Sequence, residues 1–371
     1  MMRLLLLLLF ICAQMFCSAQ DLPCDKNATI ETIRLYQNLK KNLSVGYMFG
    51  HQDDLAYGVN WKYVDGNSDI KEVTGDYPAV YGWELGHLEL DSTKNLDGVP
   101  FDKMKQFIAA GYQRGGVITI SWHFTNALTG KSAWDAVPGT VASIIPGGSK
   151  HALYTSWLDK LAAFMQSLKG KNGEAIPVIF RPFHELNGSW FWWGKNLCTP
   201  EELKQLYQFT ETYLRNNKQV HNLLYAFNTD RFANEEEYLE RFPGNEWVDV
   251  IGFDIYQRGA DNAKFIAETD KSLTTLEKIA TERNKIPALT EFGYGTLPDS
   301  TWWTNALLPA IGKHKISYAL AWRNAGKSAN GNYEFYVPYK GQASAPDFEL
   351  FYKNERTLFQ KDVAKQNLYK K

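Results

Sequence analysis

The chain has 371 residues, 44% of them hydrophobic, and a formal net charge of −1. This length and composition allow a large packed core and exclude an intrinsically disordered chain. The near-neutral charge gives no reason to expect nucleic acid or an anionic membrane as a partner. Aromatic residues make up 14% of the chain and include 12 tryptophans. That content suits a large aromatic core or a groove that binds sugars on flat ring faces.

The N-terminal residues are typical of a cleaved signal peptide. Arg3 precedes an apolar run, residues 4–15, that is too short to span a bilayer, and small residues follow at Ser18 and Ala19. We predict cleavage after Ala19, so that residues 1–19 form the signal peptide and residues 20–371 form one domain. The mature protein is then expected to be secreted or periplasmic, with no membrane association.

Cleavage at this position would leave two cysteines, Cys24 and Cys198. In an oxidising compartment one remaining pair suggests a disulfide, whereas two ordinary buried thiols are the alternative. We predict that Cys24 and Cys198 pair, which would tether the N-terminal segment to the loop before the helix that begins near residue 200. Spacing along the chain does not decide between the two.

Apolar, β-branched runs bounded by turn residues recur along the chain and predict eight strands. In chain order they cover residues 45–51, 78–85, 115–122, 177–185, 222–228, 248–256, 286–292 and 316–322. Helical periodicity is clear at 151–169, and Thr199, Pro200 and Glu202 form a helix start signal. Eight strands alternating with helices predict an α/β fold, a single (β/α)8 TIM barrel.

Polar and aromatic residues stand at the carboxyl ends of these strands, where barrel active sites form. In chain order they are His51-Gln52-Asp53, Trp83-Glu84, Trp122-His123, His184-Glu185, Asn228, Asp254-Ile255-Tyr256, Glu291 and Trp322-Arg323. The connection 124–150 is longer than a strand-to-helix turn needs to be, and we expect it to form a groove wall.

Glu185 and Glu291 close the fourth and seventh predicted strands and should face one another across the barrel. Glycosidic bond cleavage needs one carboxylic acid to protonate the leaving oxygen and one carboxylate to receive the anomeric carbon. A salt bridge or a helix cap would explain either glutamate alone. The pair, among so many aromatic residues, favours glycoside hydrolysis.

Residues 181–194 read RPFHELNGSWFWWG, and further motifs stand at the strand ends and in one loop. In chain order these are YGWE at 81–84, SWH at 121–123, TGKSAWD at 129–135, GFDIY at 252–256, TEFG at 290–293 and AWR at 321–323. These stretches, in this order, resemble glycoside hydrolase family 26, the β-mannanases, and residues 181–194 are similar to the acid/base region of that family. A histidine before the acid/base glutamate also separates this family from related barrels, which usually carry asparagine there.

The resemblance implies a retaining β-1,4-mannan hydrolase that uses double displacement and needs neither cofactor nor metal. Glu185 would be the acid/base and Glu291 the nucleophile, with carboxyl groups about 5–5.5 Å apart. Arg181 and Tyr256 would keep Glu291 ionised. The apolar wall of Trp190 and Phe191, together with the charge of Glu291, would keep Glu185 protonated.

The resemblance also implies a set of substrate-binding residues: His123, His184, Trp190, Phe191, Tyr256, Trp322 and Arg323. His184 would bind the sugar at the −1 subsite or fix Glu185. Strict strand alternation would point His184 away from the side that Glu185 faces, so a bulge or bend is expected there. The partner would be β-mannan or manno-oligosaccharides, and the protein is expected to be a monomer.

Other readings compete with this one. A metal-dependent hydrolase could use His51, His87 and His123, but the chain lacks the His-x-His and His-x-x-x-His patterns of such enzymes. A non-catalytic carbohydrate-binding barrel would be expected to have lost one of the two carboxylates. Within the resembling family, a mixed-linkage β-glucanase or a xylanase is the alternative, since a sequence does not show how the axial hydroxyl of mannose is recognised.

Two further segments bear on how a polysaccharide would be cut. Residues 91–98 follow the second predicted strand and residues 324–341 follow the eighth, and both are longer than a turn of 2–6 residues. As a wall at the glycone end they would enforce release of mannobiose, whereas as ordinary surface loops they would leave an open groove for attack within the chain.

Overall fold

The computed structural model describes residues 21–327 and 330–370. The predicted signal peptide lies outside the described residues, so its cleavage stays a prediction. Within the described part of the chain, no helix is both long and apolar enough to cross a membrane.

Eight parallel strands form a closed barrel, because each strand pairs with the next in the chain and the first also pairs with the eighth. The barrel strands, numbered 1 to 8 below, are Tyr47–Gln52, Val80–Glu84, Val117–Ser121, Val178–Arg181, Leu223–Thr229, Val250–Gln257, Ile286–Tyr294 and Tyr318–Ala321. The predicted TIM barrel is therefore confirmed. Strand 4 differs most from the prediction, since it ends at Arg181 instead of at residue 185.

Helices lie between the strands and around the barrel. In chain order they are α1 Ile30–Asn42, α2 Asp69–Thr74, α3 Phe101–Gln113, α4 Thr140–Ile144, α5 His151–Ser167, α6 Pro200–Thr212, α7 Glu235–Leu239, α8 Asn262–Arg283, α9 Leu308–Ile311, α10 Ala345–Tyr352 and α11 Gln360–Gln366. Short 3₁₀ turns occur at Leu88–Leu90 and Asn245–Trp247, and π turns at Tyr213–Asn217 and Trp303–Leu307. Short strands occur at Tyr57–Gly58, Trp61–Lys62, Gly326–Lys327, Tyr333–Glu334 and Thr357–Leu358.

The start of α6 has the predicted capping box. Thr199 Oγ1 accepts from the backbone N–H of Glu202 at 3.1 Å, and Glu202 Oε2 accepts from the backbone N–H of Thr199 at 2.8 Å. Two N–H groups that a helix start leaves unpaired are satisfied in this way.

Side chains alternate between the inside of the barrel and the layer under the helices. One buried cluster contains the residues Met48, Val80, Val117, Ile179, Leu224, Ala226, Val250, Ala288 and Leu320, together with Leu35 and Leu39 of α1. The outer cluster contains Phe49, whose ring lies 5.0–6.2 Å from five aromatic rings, Phe292, Trp303, Phe348, Phe351 and Phe359. Three of these five come from the last part of the chain, which is thereby packed onto strand 1.

The chain bends sharply where strand 4 ends. Phe183 and Glu185 have left-handed φ angles of 54° and 52°, a conformation that costs a non-glycine residue about 1 kcal/mol or more. His184, between them, therefore does not follow strand alternation. This confirms the bend that the sequence predicted.

The predicted disulfide is corrected by the structure, because Cys24 and Cys198 are both free. Cys24 Sγ lies 3.1 Å from Asp249 Oδ2, before the amino end of strand 6. Cys198 Sγ lies 3.5 Å from the carbonyl of Trp193, in the connection after the carboxyl end of strand 4. The thiols thus belong to opposite ends of the barrel, and hydrogen bonds to Asp249 hold the N-terminal segment instead.

Candidate active site

Glu291 lies in strand 7, buried at the carboxyl end of the barrel. Strand 7 is bulged here, since Leu289 pairs with Phe253 and Glu291 with Asp254, which leaves Thr290 between two registers. Such a bulge re-aims the side chains beside it.

Two donors hold the Glu291 carboxylate. Arg181 Nη2 lies 2.5 Å from Oε1, and the hydroxyl of Tyr256 donates to Oε2 at 2.9 Å. Arg181 is buried, also donates to Asn228, and lies 3.7 Å from Asp254. A guanidinium and a hydroxyl on a buried carboxylate stabilise its ionised form. These are the contacts expected of Arg181 and Tyr256.

Glu185 follows the bend after strand 4, and Trp190 Nε1 donates to its Oε2 at 2.6 Å. Burial, the charge of Glu291 and the charge of Asp230 raise the pKa of Glu185 to about 8, against the opposing hydrogen bond from Trp190. Glu185 is therefore mainly protonated at neutral pH, whereas Glu291 is paired with the guanidinium of Arg181. One carboxylic acid and one carboxylate thus face the same space.

One oxygen of each of Glu185, Asp254 and Glu291 lies within 4.8 Å of the others. Burial and the charge of Glu291 raise the pKa of Asp254, against the lowering effect of Arg181. Arg181 thus already supplies a positive charge to this set of carboxyl groups, through its contacts with Asp254 and Glu291. In residues 21–327 and 330–370 no other set of three ligand side chains converges in this way, so His51, His87 and His123 do not gather as a metal site would require. His51 instead pairs with Asp54 at 2.8 Å.

The predicted histidines lie against one another on one side of the two glutamates. His123 follows strand 3, its Nδ1 lies 2.8 Å from Glu84 Oε2, and its Nε2 lies 3.0 Å from Nε2 of His184. Burial, His123 and Arg181 lower the pKa of His184 well below its usual range. Glu84 was not among the predicted site residues, although it was among the polar residues at the strand ends.

Aromatic rings line the cleft. Trp190 is 40% exposed and Trp134 is 51% exposed. Trp134 stacks on His123 with a centroid distance of 5.1 Å and an angle of 12°. The connection 124–150 thus reaches the site through Trp134, as expected of a groove wall. Phe191 is only 3% exposed and packs against His123, so it lies beneath the cleft surface. Trp322 is half-buried, with its ring 6.5 Å from that of His123.

Comparison with known proteins identifies the family. The sequence model described as Glycosyl hydrolase family 26 matches residues 24–331. The chain belongs to glycosyl hydrolase family 26. This confirms the resemblance found in the strand-end motifs.

Relatives of this family 26 protein include curated enzymes and solved structures. A mannan endo-1,4-beta-mannosidase of Bifidobacterium adolescentis is 34% identical over an alignment of 354 residues that covers 90% of this chain and 35% of the relative. A structure of a GH26 beta-mannanase from Bacteroides ovatus has a TM-score of 0.89 and 45% identity, covering 92% of this chain and 98% of that one. A modular endo-beta-1,4-mannanase from Cellulomonas fimi has a TM-score of 0.85 and 34% identity, covering 94% and 79%. The chain thus spans about a third of the length of the Bifidobacterium relative.

Arg323 of this family 26 protein lies where two loops meet. Its guanidinium is 3.1 Å from Asp97, in the segment 91–98, and 3.4 Å from Glu334, in the segment 324–341. The Asp97 side chain is only 3% exposed, and Asp53 lies beside it with its carboxylate accepting from the hydroxyl of Tyr57 at 2.6 Å. The two segments predicted as a wall are thus joined through one ion-paired side chain.

Sequence reasoning missed several residues of the cleft. A cavity of about 220 Å³ next to Glu185 is also lined by Asp230, Arg231 and Arg258. Asp230 comes directly after strand 5, and Arg258 directly after strand 6. Extending the search by two residues beyond the predicted strand ends, 228 and 256, would have found both. Trp134 stood in a resembling stretch, but its exposure depends on how a long loop folds, which periodicity does not show.

Proposed function

We propose that this family 26 protein is a retaining β-1,4-mannan hydrolase acting on mannan, glucomannan or galactomannan. The observation that carries the proposal is the pair of Glu185 and Glu291, whose carboxyl oxygens lie within 4.8 Å, with Arg181 bound to Glu291 and the pKa of Glu185 raised. Retaining enzymes place their carboxyl groups about 5–5.5 Å apart, whereas inverting enzymes leave about 6.5–9.5 Å for a water molecule. The names of the mannosidase and mannanase relatives support mannan as the substrate.

In this proposal the reaction has two steps. Glu291 attacks the anomeric carbon while Glu185 gives its proton to the glycosidic oxygen, so that the aglycone leaves as an alcohol and a glycosyl ester forms. Glu185, now ionised, then takes a proton from water, and the resulting nucleophile cleaves the ester and releases Glu291. Arg181 and Tyr256 hold Glu291 for attack and stabilise it again as it leaves.

The remaining predicted residues take supporting positions in the proposal. Trp190 is the platform for the departing sugar, and Trp322 is the floor of the −1 subsite. Arg323 faces the glycone end from the junction of the two loop segments. His123 lies beside the −1 position, and Phe191 supports it from below.

Two variants separate the roles of the glutamates. Glu291→Ala should abolish turnover of every substrate. Glu185→Ala should cripple mannan hydrolysis yet keep much faster glycosylation of an aryl mannoside with a good leaving group, since that bond needs little protonation. Equal losses by both variants on both substrates would contradict the assignment.

Substrate and stereochemistry are tested on the unmodified protein. It should release products from mannan in preference to xylan and mixed-linkage β-glucan, and NMR at early times should find β-configured reducing ends. Preferred cleavage of xylan or glucan would reassign the substrate, and α-configured first products would contradict double displacement.

The location and assembly follow from the sequence pattern. In this proposal residues 1–19 are removed as a signal peptide, and residues 20–371 act as a monomeric catalytic domain in the periplasm or outside the cell. N-terminal sequencing of the exported protein should start at Gln20, and light scattering should give the mass of one chain. An N-terminus that still carries residues 1–19, or a dimer mass, would contradict the respective part.

A further inference from the structure

We infer that His123 is a fixed imidazolium cation in the catalytic centre, and that His184 is a positioning residue that holds this cation rather than a ligand of the sugar. The role in catalysis rests on the proposed function, but the charge states do not. Three side chains carry the inference: Glu84, His123 and His184 form one continuous chain of hydrogen bonds.

The chain begins at a buried carboxylate. Glu84 accepts four hydrogen bonds: from the backbone N–H groups of Gly86 and His123 and from Ser121 Oγ, each at 2.6 Å, and from His123 Nδ1 at 2.8 Å. A carboxyl group surrounded by donors alone is ionised.

The buried charge of Glu84 favours a cation beside it. A buried carboxylate without a partner of opposite charge is strongly destabilising. Within residues 21–327 and 330–370, His123 is the one side chain in ion-pair contact with Glu84. Burial raises the pKa of Glu84, but His123 and the hydrogen bonds outweigh this and lower it overall. The pair is therefore carboxylate and imidazolium.

The surroundings of His123 favour the same charge. Burial lowers its pKa, but Glu84, Glu291 and Asp97 outweigh burial and raise it overall. The face of Trp134 lies over the ring at 5.1 Å and 12°, and an indole face attracts a cation. Glu185 also interacts with His123 through its charge, and His184 contacts the ring on the other side.

The charge on His123 decides the tautomer of His184. Two ring nitrogens 3.0 Å apart need one donor and one acceptor. An imidazolium has N–H on both nitrogens, so His123 Nε2 donates and His184 Nε2 accepts. His184 is then neutral and carries its proton on Nδ1, which agrees with its lowered pKa beside His123 and Arg181.

His184 presents no accessible polar atom to a sugar. Its Nε2 is engaged by His123, and its Nδ1 is buried and has no hydrogen-bond partner within the described residues. The ring packs against Phe191 at 5.1 Å and Trp193 at 5.9 Å, and only 1% of the residue is exposed. His184 therefore acts through His123, which adds a second positive charge to that of Arg181 beside Glu185 and Glu291.

The charge states are tested directly by NMR. In the ¹⁵N-histidine-labelled, substrate-free protein, long-range ¹H–¹⁵N spectra should show His123 with both nitrogens protonated and His184 neutral with the proton on Nδ1. This pattern should persist across the pH range of activity. A neutral His123 with the proton of His184 on Nε2 would overturn the inference. The measurement needs no turnover, so it is independent of whether mannan is the substrate.

A double-mutant cycle tests the positioning role. His184→Gln keeps a hydrogen-bond acceptor for His123 and should preserve the imidazolium signal. His184→Leu removes the acceptor and should lower kcat/KM roughly ten- to hundredfold. In a His123→Ala background, His184→Leu should cause no further loss. A sugar ligand would instead give the same loss in both backgrounds, mainly in KM, and that additivity would overturn the inference.

Discussion

Trp190 contacts the acid through its ring nitrogen and presents its ring face to the cleft. The hydrogen bond favours the ionised form of Glu185 and so lowers its pKa, although burial and Glu291 still raise that pKa to about 8. At the residue scale, therefore, one tryptophan both forms a platform and adjusts the acid. The two effects can be separated because phenylalanine keeps a ring face but has no donor.

Trp190→Phe should move the alkaline limb of the pH profile upwards. Without the donor the charged form of Glu185 is less stable, so its pKa rises further above the usual range and protonation persists to higher pH. The measurement is kcat/KM against pH from 6 to 10, using a short substrate. Trp134→Phe, which removes an exposed tryptophan that does not donate to Glu185, is the matched control. An unchanged limb in Trp190→Phe would show that another group sets it.

The cysteines give a second prediction at this scale. The unreduced, denatured mature protein should titrate with two thiols, because Cys24 and Cys198 are held in separate places. Mass spectrometry after alkylation should find both residues modified in the protein unfolded without reductant. A Cys24–Cys198 cross-linked peptide would contradict the structure.

At the element scale, the loops after strands 2 and 8 are joined by the Asp97–Arg323–Glu334 cluster. A wall at the glycone end predicts mostly mannobiose in early digests of mannan, with little fall in viscosity. Asp97→Asn weakens the junction and should increase the share of longer products. Lys94→Ala, an exposed change in the same segment, should not. A rapid viscosity drop with a ladder of oligosaccharides from the unmodified protein would show an open groove.

The elements that the sequence predicted well are those with a local cause. The capping box of α6 lies within four residues, and each barrel strand is one apolar run. The end of strand 4 was placed too late because Phe183 and Glu185 are left-handed, a conformation that neither residue type favours. The side-chain partners of Glu84 were missed because Ser121 ends strand 3 and His123 follows it, and contacts between strands leave no local pattern.

The difference between local patterns and contacts made by the fold also explains why the predicted disulfide was wrong. Two cysteines and an exported chain predicted a bridge from composition, but pairing needs Cα atoms within about 7 Å. Only the path of the chain shows that one thiol lies at each end of the barrel. The candidate catalytic pair was predictable because strand count alone places the ends of strands 4 and 7 around one mouth.

At the scale of the whole molecule, the closed barrel depends on how the C-terminal part of the chain packs over strand 1. Phe49 contacts two rings from α10 and one that precedes α11. Phe49→Ala should therefore lower the free energy of unfolding by about 3–5 kcal/mol, the usual result of emptying a buried aromatic site. Urea denaturation measures this.

Phe49→Leu is the matched control, because it refills much of the space and should cost clearly less. Activity per folded molecule should change little in either variant, since the Phe49 ring packs in the outer layer and not at the mouth. A loss below 1 kcal/mol in Phe49→Ala would mean that the C-terminal helices are held by other contacts.

The left-handed backbone at Glu185 has a consequence for the evolution of this position. A mutation to glycine there would remove both the strain and a half-buried acid, so we expect the inactive protein to be the more stable one. Purifying selection on activity must therefore act continually against a gain in stability at this codon. When a lineage no longer needs the activity, position 185 should be among the first to accept substitutions. The encoded protein should then remain folded but inactive.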